Sequence, residues 1–399
     1  MVLVPFTDKI DYRTMAEYYS SQLSKSRKRG RNSRQPQGSL WMAILDIVMI
    51  LISVVAAITI LTIFIARFFE PEKLWYFSLA GLISPIAYIV AIASALYWII
   101  RWRWRMFIFV AAFIAIGWPY VSLYYKMDIG KEYGTPRYER GNIKVLSYNI
   151  RYFQNDKWTK TTTDSIISLV KRENPDIICF QEFPVKGDEH NKALSALSKY
   201  HRTKIHAQFE DGVICFSKYR IIRSDSIRGL CGTAKGVFAD LRVGEDTVRL
   251  YNLHLQSTSI NSEERDYINN RRFLETADSG RVNKFTGMAQ RLYENSCIRS
   301  HQVDALRHDM DHCPYPVIIC GDFNDIPMSY AYRTVASGLE DTFSKKGNGY
   351  VHTFNGFFGL LRIDYILVSK QFETLSYDVF PIDASDHYPV MARVLLKNK

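Results

Sequence analysis

Three long apolar runs fill the first third of the chain, and they restrict its architecture more than any other feature. Residues 40–66 carry one charge, Asp46, while residues 74–100 and 106–125 carry none. A helix rises about 1.5 Å per residue and a bilayer's hydrocarbon core is about 30 Å thick, so about 20 apolar residues span it. Each run reaches that length. Only seven and five residues separate the runs, a succession unlike the buried helices of a soluble domain. Trp41, Trp75, Tyr76, Trp98, Trp102, Trp104, Trp118 and Tyr120 lie at or near the run ends, where an aromatic ring is half dry and half wet. Pro85 and Pro119 fall inside the second and third runs and predict local irregularity there.

Charge orients these runs. Lys25, Arg27, Lys28, Arg29, Arg31 and Arg34 precede the first, and Arg101, Arg103 and Arg105 lie between the second and third. The first connection instead mixes Arg67 and Lys73 with Glu70 and Glu72. Positive flanks stay on the cytoplasmic side. Residues 1–39 are therefore expected to form a basic cytoplasmic tail and 40–125 three transmembrane helices. Residues 126–141 then read as a linker and 142–399 as a domain on the outer, periplasmic or extracellular, face. This describes an integral protein of a plasma or inner membrane, with the lipid bilayer as its first partner. The basic run at 25–34 also fits a nucleic-acid or localisation patch, a less economical reading beside a membrane helix.

The two parts differ in composition as well. Residues 1–141 hold 17 Lys and Arg against 9 Asp and Glu, leaving 34 against 31 downstream. All nine His and all six Cys lie downstream. From residue 142 onward, short apolar runs bounded by turn residues predict strands at 143–150, 176–180, 212–216, 237–241, 247–255, 316–320, 364–368 and 391–395. Helices are predicted at 162–173 and 286–310. The pattern is that of an α/β domain. Cys179 and Cys320 sit in strand runs, where a reduced thiol packs as a small hydrophobe.

Polar clusters close these strands: Ser147-Tyr148-Asn149, Gln181-Glu182, Asn252-Leu253-His254, Gly321-Asp322-Phe323-Asn324-Asp325, Arg362-Ile363-Asp364-Tyr365 and Ser385-Asp386-His387. One such cluster is ordinarily a cap or turn. Six in order point to a site held on a rigid scaffold.

On the series Asn149, Gln181-Glu182, His254, Gly321-Asp322-Phe323-Asn324, Asp364 and Ser385-Asp386-His387, the domain resembles the endonuclease/exonuclease/phosphatase superfamily. That group includes pancreatic deoxyribonuclease, abasic-site endonucleases, neutral sphingomyelinases and inositol polyphosphate 5-phosphatases. The resemblance implies a four-layer α/β/β/α fold, two sheets packed face to face with helices outside. It also implies metal-dependent hydrolysis of a phosphoester, with Mg²⁺ as cofactor and Mn²⁺ or Ca²⁺ as substitutes. Hydrolysis needs a positioned water, a sink for charge on the phosphoryl oxygens and help for the leaving oxygen. Glu182, with Asn149 and Asp386, offers hard oxygen ligands of the kind Mg²⁺ takes. Asp322 is the candidate for activating water, with Asn324 beside it. By resemblance, Asp364 orients His387 toward the phosphate, and His254 donates to the phosphate or protonates the leaving group.

Substrate class is open at this level. The expected activity is that of a membrane-anchored, metal-dependent nuclease or general phosphodiesterase, with a lipid-headgroup phosphodiesterase of sphingomyelinase type as the alternative, favoured by the membrane tether. A catalytically silent, membrane-tethered binding module is the reading from another class, disfavoured because every site residue is present. No obligate protein partner is evident. Residues 257–285 are a solvated loop or a wall of the substrate groove, and residues 350–359, rich in aromatics, line the site or touch the membrane.

Overall fold

The computed structural model describes residues 17, 20, 40–73, 81–127, 142–208, 211–258 and 279–397. The basic run at 25–34, most of the expected linker and most of 257–285 lie outside the described residues. Two compact units divide the chain, Met1–Ile52 and Ser53–Lys399. Apart from Glu17 and Ser20, the described part of the first is the opening half of helix α1 (Leu40–Ala66).

In the second unit, α1 continues and is followed by α2 (Ser84–Ile100), preceded by one 3-10 turn, and α3 (Trp104–Val121). Helices α1 and α3 are long and apolar enough to cross a membrane. The second expected span is shorter: α2 has 17 residues, and residues 74–80 lie outside the described residues. Pro85 lies in the first turn of α2, where a missing N–H costs nothing, so it starts the helix instead of disturbing it. Pro119 lies inside α3. The helices meet through small residues. Ser53, Ala56, Ala57, Ala87, Ala91 and Ala95 are buried, Trp98 Nε1 donates to Ser53 Oγ at 2.8 Å, and a Cβ on Gly117 would stand 1.8 Å from the Tyr88 hydroxyl oxygen. Small contact residues let backbones approach closely. Large apolar side chains point outward instead, Ile58, Ile89, Ile108 and Trp118 being exposed, the reverse of a soluble bundle.

Helix α3 ends at Val121, and the chain then joins the second half of the protein. Strand β1 (Tyr125–Lys126) pairs antiparallel with β12 (Gly349–Tyr350). Val351 N donates to Tyr124 O at 2.9 Å, Lys126 Nζ to Ser344 O at 2.8 Å and Arg362 Nη1 to Leu123 O at 2.9 Å. Arg362 is wholly buried and makes two bonds to the Asp341 carboxylate, at 2.8 and 2.7 Å. A buried charge is tolerable when paired in this way.

Two sheets form the body. The first contains β2 (Asn142–Asn149), β3 (Ile177–Pro184), β4 (His201–Arg202), β5 (His206–Gln208), β6 (Asp211–Ser217), β14 (Phe372–Val379) and β15 (Val390–Leu396), in the order β14-β15-β2-β3-β6-β4 with β5 on β6. The second runs β11-β13-β10-β9-β8-β7, from β7 (Arg220–Ser226), β8 (Lys235–Val243), β9 (Asp246–His254), β10 (Val317–Asp322), β11 (Leu339–Asp341) and β13 (Asp364–Ser369). Val145, Cys179 and Cys215 of one sheet share a buried core with Ala239, Leu250, Cys320 and Ile366 of the other. The far face of the first sheet is covered by α4 (Thr163–Glu173) and α5 (Asp188–Ala196), through Ile166, Val170 and Ala193. Helices α6 (Ser279–Asp311) and α7 (Tyr330–Ala336) cover the second, through Val303, Leu306 and Val335, and α8 (Thr342–Lys346) follows β11. The expected four layers are present. All six cysteines are free thiols, with Cys179, Cys215 and Cys320 buried.

Candidate active site

Each sheet contains one parallel strand pair joined through a helix: β2 and β3 through α4, β9 and β10 through α6. The carboxyl ends of parallel strands are where open α/β sheets place ligands. Register brings the polar residues together there. Asn149 pairs with Gln181, and Asp322 stands opposite His254 on one side and Asp364 on the other.

Local backbone sharpens this placement. Gly321 has φ of 145°, and a Cβ on it would lie 2.0 Å from the Leu253 carbonyl oxygen. Only glycine allows β10 to press that closely on β9. In β3 the register with β6 shifts between Phe180 and Phe183, and Glu182 adopts φ of 51°. A bulge of this kind re-aims a side chain away from simple strand alternation. Asn324 has φ of 50°, its N–H donates to Asp322 Oδ1 at 2.8 Å, and its Nδ2 donates to Leu255 O at 3.2 Å. Beneath the site, Gln181 Nε2 donates across the sheets to Asn252 Oδ1 at 2.7 Å, and Asn252 Nδ2 donates back to Phe180 O and Ile214 O at 3.0 Å.

Seven of the eight residues singled out in the sequence meet directly, and Asp386 joins them through Arg151. Asn149 Nδ2 donates to Glu182 Oε1 and Asp322 Oδ2, both at 3.0 Å. His254 Nε2 lies 3.8 Å from the same two carboxylate oxygens. His387 places Nδ1 3.0 Å from Asp364 Oδ2 and Nε2 3.6 Å from Asp322 Oδ2. Asp386 meets the group differently from expectation: its Oδ2 lies 2.6 Å from Arg151 Nη1, and Arg151 also bonds Asp156 at 3.0 Å. Asn324 completes the set beside Asp322.

Sequence reasoning missed Arg151 and Lys235, and reached Thr353 only as part of the 350–359 segment read as lining the site or touching the membrane. Arg151 follows Asn149 by two residues, and its N–H donates to Asn149 Oδ1 at 3.1 Å. Thr353 Oγ1 accepts from Ile363 N and Asp364 N, both at 3.0 Å, fixing Asp364 from behind. Lys235 stands opposite His254 in register and is buried in a two-bond pair with Asp211 at 2.9 and 2.7 Å. The Arg151 and Lys235 side chains carry no motif signal, since they meet Asp386 and Asp211 from other strands and turns.

Burial governs the charges. It pushes the Glu182 carboxyl up to about 7, against the hydrogen bond from Asn149, and raises Asp322 despite the two neighbouring imidazoles. Burial also lowers His254. For His387 burial acts downward too, but Asp364 and Asp322 outweigh it and hold the ring well above the usual imidazole range. His387 is thus a cation and His254 neutral near pH 7.

The donor set fits a hard divalent cation. Glu182 Oε1 and Asp322 Oδ2 turn to one point, where they accept from Asn149 Nδ2, while Asn149 Oδ1, the oxygen that could ligate, accepts from Arg151 N–H; Asp364 Oδ1 is buried without a hydrogen-bond partner among the described residues. Donor atoms of Asp322, Asp364 and His387 also lie within 4.8 Å of one another. Asp364 Oδ2 and His387 Nδ1 already occupy each other at 3.0 Å, and Mg²⁺ prefers oxygen ligands, so the oxygen side, Glu182 and Asn149 with Asp322, is the better metal face.

Residues 146–387 match the endonuclease/exonuclease/phosphatase family, more than half of the chain, and the protein belongs to that family. Members of this family hydrolyse phosphoester bonds, typically with a divalent metal. Residues 46–124 match a domain of unknown function (DUF8431). No curated protein matches the chain. Similar solved structures include an endonuclease/exonuclease/phosphatase family protein from Bacteroides thetaiotaomicron, 18% identical, covering 65% of this chain and 100% of that one with a TM-score of 0.49. The mannosyl-6-phosphatase of the same organism is 18% identical, covers 63% and 99%, and has a TM-score of 0.47. The human Nocturnin catalytic domain with bound sulfate is 20% identical, covers 64% and 95%, and has a TM-score of 0.46.

Proposed function

We propose that the protein is a membrane-anchored, Mg²⁺-dependent phosphodiesterase that cleaves its substrate with water. The observation that carries this reading is Asp322, buried between Asn149, His254 and His387 at the meeting point of both sheets. Water attacks phosphorus and the ester P–O bond breaks. Asp322 takes the proton of the attacking water, with Asn324 as its neighbour in orienting it. His387, kept cationic by Asp364, donates to a phosphoryl oxygen as negative charge grows there. Neutral His254 donates a hydrogen bond on the leaving-group side. Glu182 and Asn149, beside Asp322, would hold the metal, with Asp386 reaching it only by leaving its pair with Arg151, and a divalent ion there would supply charge neutralisation at the phosphoryl oxygens.

The long apolar helices α1 and α3, with outward-facing large side chains, support membrane insertion. The Lys and Arg distribution supports a cytoplasmic N-terminus and an outer-face catalytic domain. Pairing of β1 with β12, four residues beyond the end of α3, favours a second reading, in which the substrate is a lipid headgroup presented at the bilayer surface. Full-length protein in vesicles, supplied with Mg²⁺ and plasmid DNA, RNA, sphingomyelin and a soluble phosphodiester, separates these. Turnover of nucleic acid alone supports the first, turnover of sphingomyelin alone the second. Metal binding without any turnover would contradict both and leave a binding module.

A further inference from the structure

An exposed aromatic ring that the reaction described above does not use is joined to the candidate site through Arg151. Beyond Met127 the exposed large hydrophobics among the described residues are Trp158, Ile222, Tyr315, Tyr350 and Phe358, and Trp158, at 55%, is the most exposed of them. Trp158 is also the sole tryptophan after Trp118. The loop that presents it is built, not slack. Asn155 Oδ1 accepts from Thr159 N at 2.8 Å and Lys160 N at 3.1 Å, and Trp158 N donates to Asn155 O at 3.0 Å. Arg151, Tyr152, Phe153 and Trp158 all take positive φ, between 44° and 61°, a conformation that residues with side chains hold only where surrounding structure enforces it and that gathers at ligand sites.

One contact joins this ring to the site. The Arg151 guanidinium lies 4.9 Å over the Trp158 ring while bonding Asp386 Oδ2 at 2.6 Å, and the Tyr152 ring centroid is 6.0 Å away. Arg151 thus covers part of the indole and ties it to the Asp386–His387 turn. The remaining ring surface is open to solvent, one ion pair from the residues that would meet the phosphate.

We propose that Trp158, braced by Arg151, is a specificity-determining platform on which a planar ring of the substrate stacks, the ring being a nucleobase attached close to the scissile phosphate. Stacking of a base on an aromatic side chain is tolerant of base identity, so the platform selects nucleotides as a class. The proposal rests on the phosphodiesterase reading and narrows it toward ring-bearing substrates.

The test uses full-length protein in detergent micelles with Mg²⁺. The substrates are a dinucleotide and glycerophosphoglycerol, a diester with no ring. The ratio of their kcat/KM values is predicted to fall about tenfold in Trp158→Ala, through KM of the dinucleotide, and to recover largely in Trp158→Phe. A ratio unchanged in Trp158→Ala, with the melting curve intact, overturns the proposal. Adenosine 5′-monophosphate supplies a readout independent of turnover: it is predicted to quench a component of the tryptophan emission that Trp158→Phe lacks. Quenching without hydrolysis of either diester keeps the platform and overturns the phosphodiesterase reading. Hydrolysis without quenching does the converse.

Discussion

A carboxylic acid that must shed its proton before it can hold a cation makes cation binding depend on pH, and Glu182 is in that position. Burial raises its carboxyl to about 7, so below that pH the metal competes with a proton and above it does not. Mn²⁺ or Mg²⁺ affinity of the full-length protein should therefore rise between pH 6 and pH 8, with protons released on binding near pH 7. Calorimetry in two buffers of different ionisation enthalpy measures both, and equal affinity at the two pH values would count against Glu182 as a ligand. At this scale most of the site was legible in the sequence, because Asn149, Glu182, His254, Asp322, Asp364 and His387 each close a strand or precede one. Arg151 was not, since its importance comes from Asp386, 235 positions later in the numbering, which it meets at 2.6 Å. Thr353 falls in the 350–359 segment already read as lining the site or touching the membrane, but its bonds from Ile363 N and Asp364 N needed the fold to be seen.

Among the elements, the junction of β9 and β10 does most to shape the site, and its weak point is Gly321. Adding one methyl group would set a Cβ 2.0 Å from the Leu253 carbonyl oxygen at a backbone φ of 145°. Gly321→Ala is predicted to destabilise the protein by about 2–4 kcal/mol and to move Asp322 away from His254. A thermal melt within a degree of the parent would refute that. The buried strands were found from sequence because both faces are covered and their apolar runs are continuous. Strands β7 and β14 escaped notice for the opposite reason. Arg220–Ser226 and Phe372–Val379 lie at sheet edges with mixed burial, so neither shows a clean alternation. The third apolar run was read as ending at residue 125, but hydropathy does not distinguish the last turn of α3 from the β1 residues that pair with Gly349 and Tyr350.

In the Ser53–Lys399 unit as a whole, the segment after α3 belongs to the sandwich. Leu123 and Tyr124 accept hydrogen bonds from Arg362 and Val351 at 2.9 Å, and Thr353, two residues beyond Val351, supports the Asp364–His387 pair. A fragment beginning at residue 142 leaves these two donors without their carbonyls, a loss of about 1–3 kcal/mol for each buried donor left unmade. It should melt several degrees below a fragment beginning at residue 123 and hydrolyse substrate more slowly. Identical melting and activity would show that the strand adds nothing.

The claim on which the rest depends is that Asp322 and His387 drive a metal-dependent cleavage of a phosphoester. Its most direct test is the rate of bis(p-nitrophenyl) phosphate hydrolysis by full-length protein, before and after chelation and on restoring Mg²⁺, with Asp322→Asn and His387→Gln beside it. The account predicts turnover that vanishes with chelator, returns with Mg²⁺ and falls by about 10²–10⁴ in each variant. Turnover indifferent to metal, or undiminished in both variants, would contradict it.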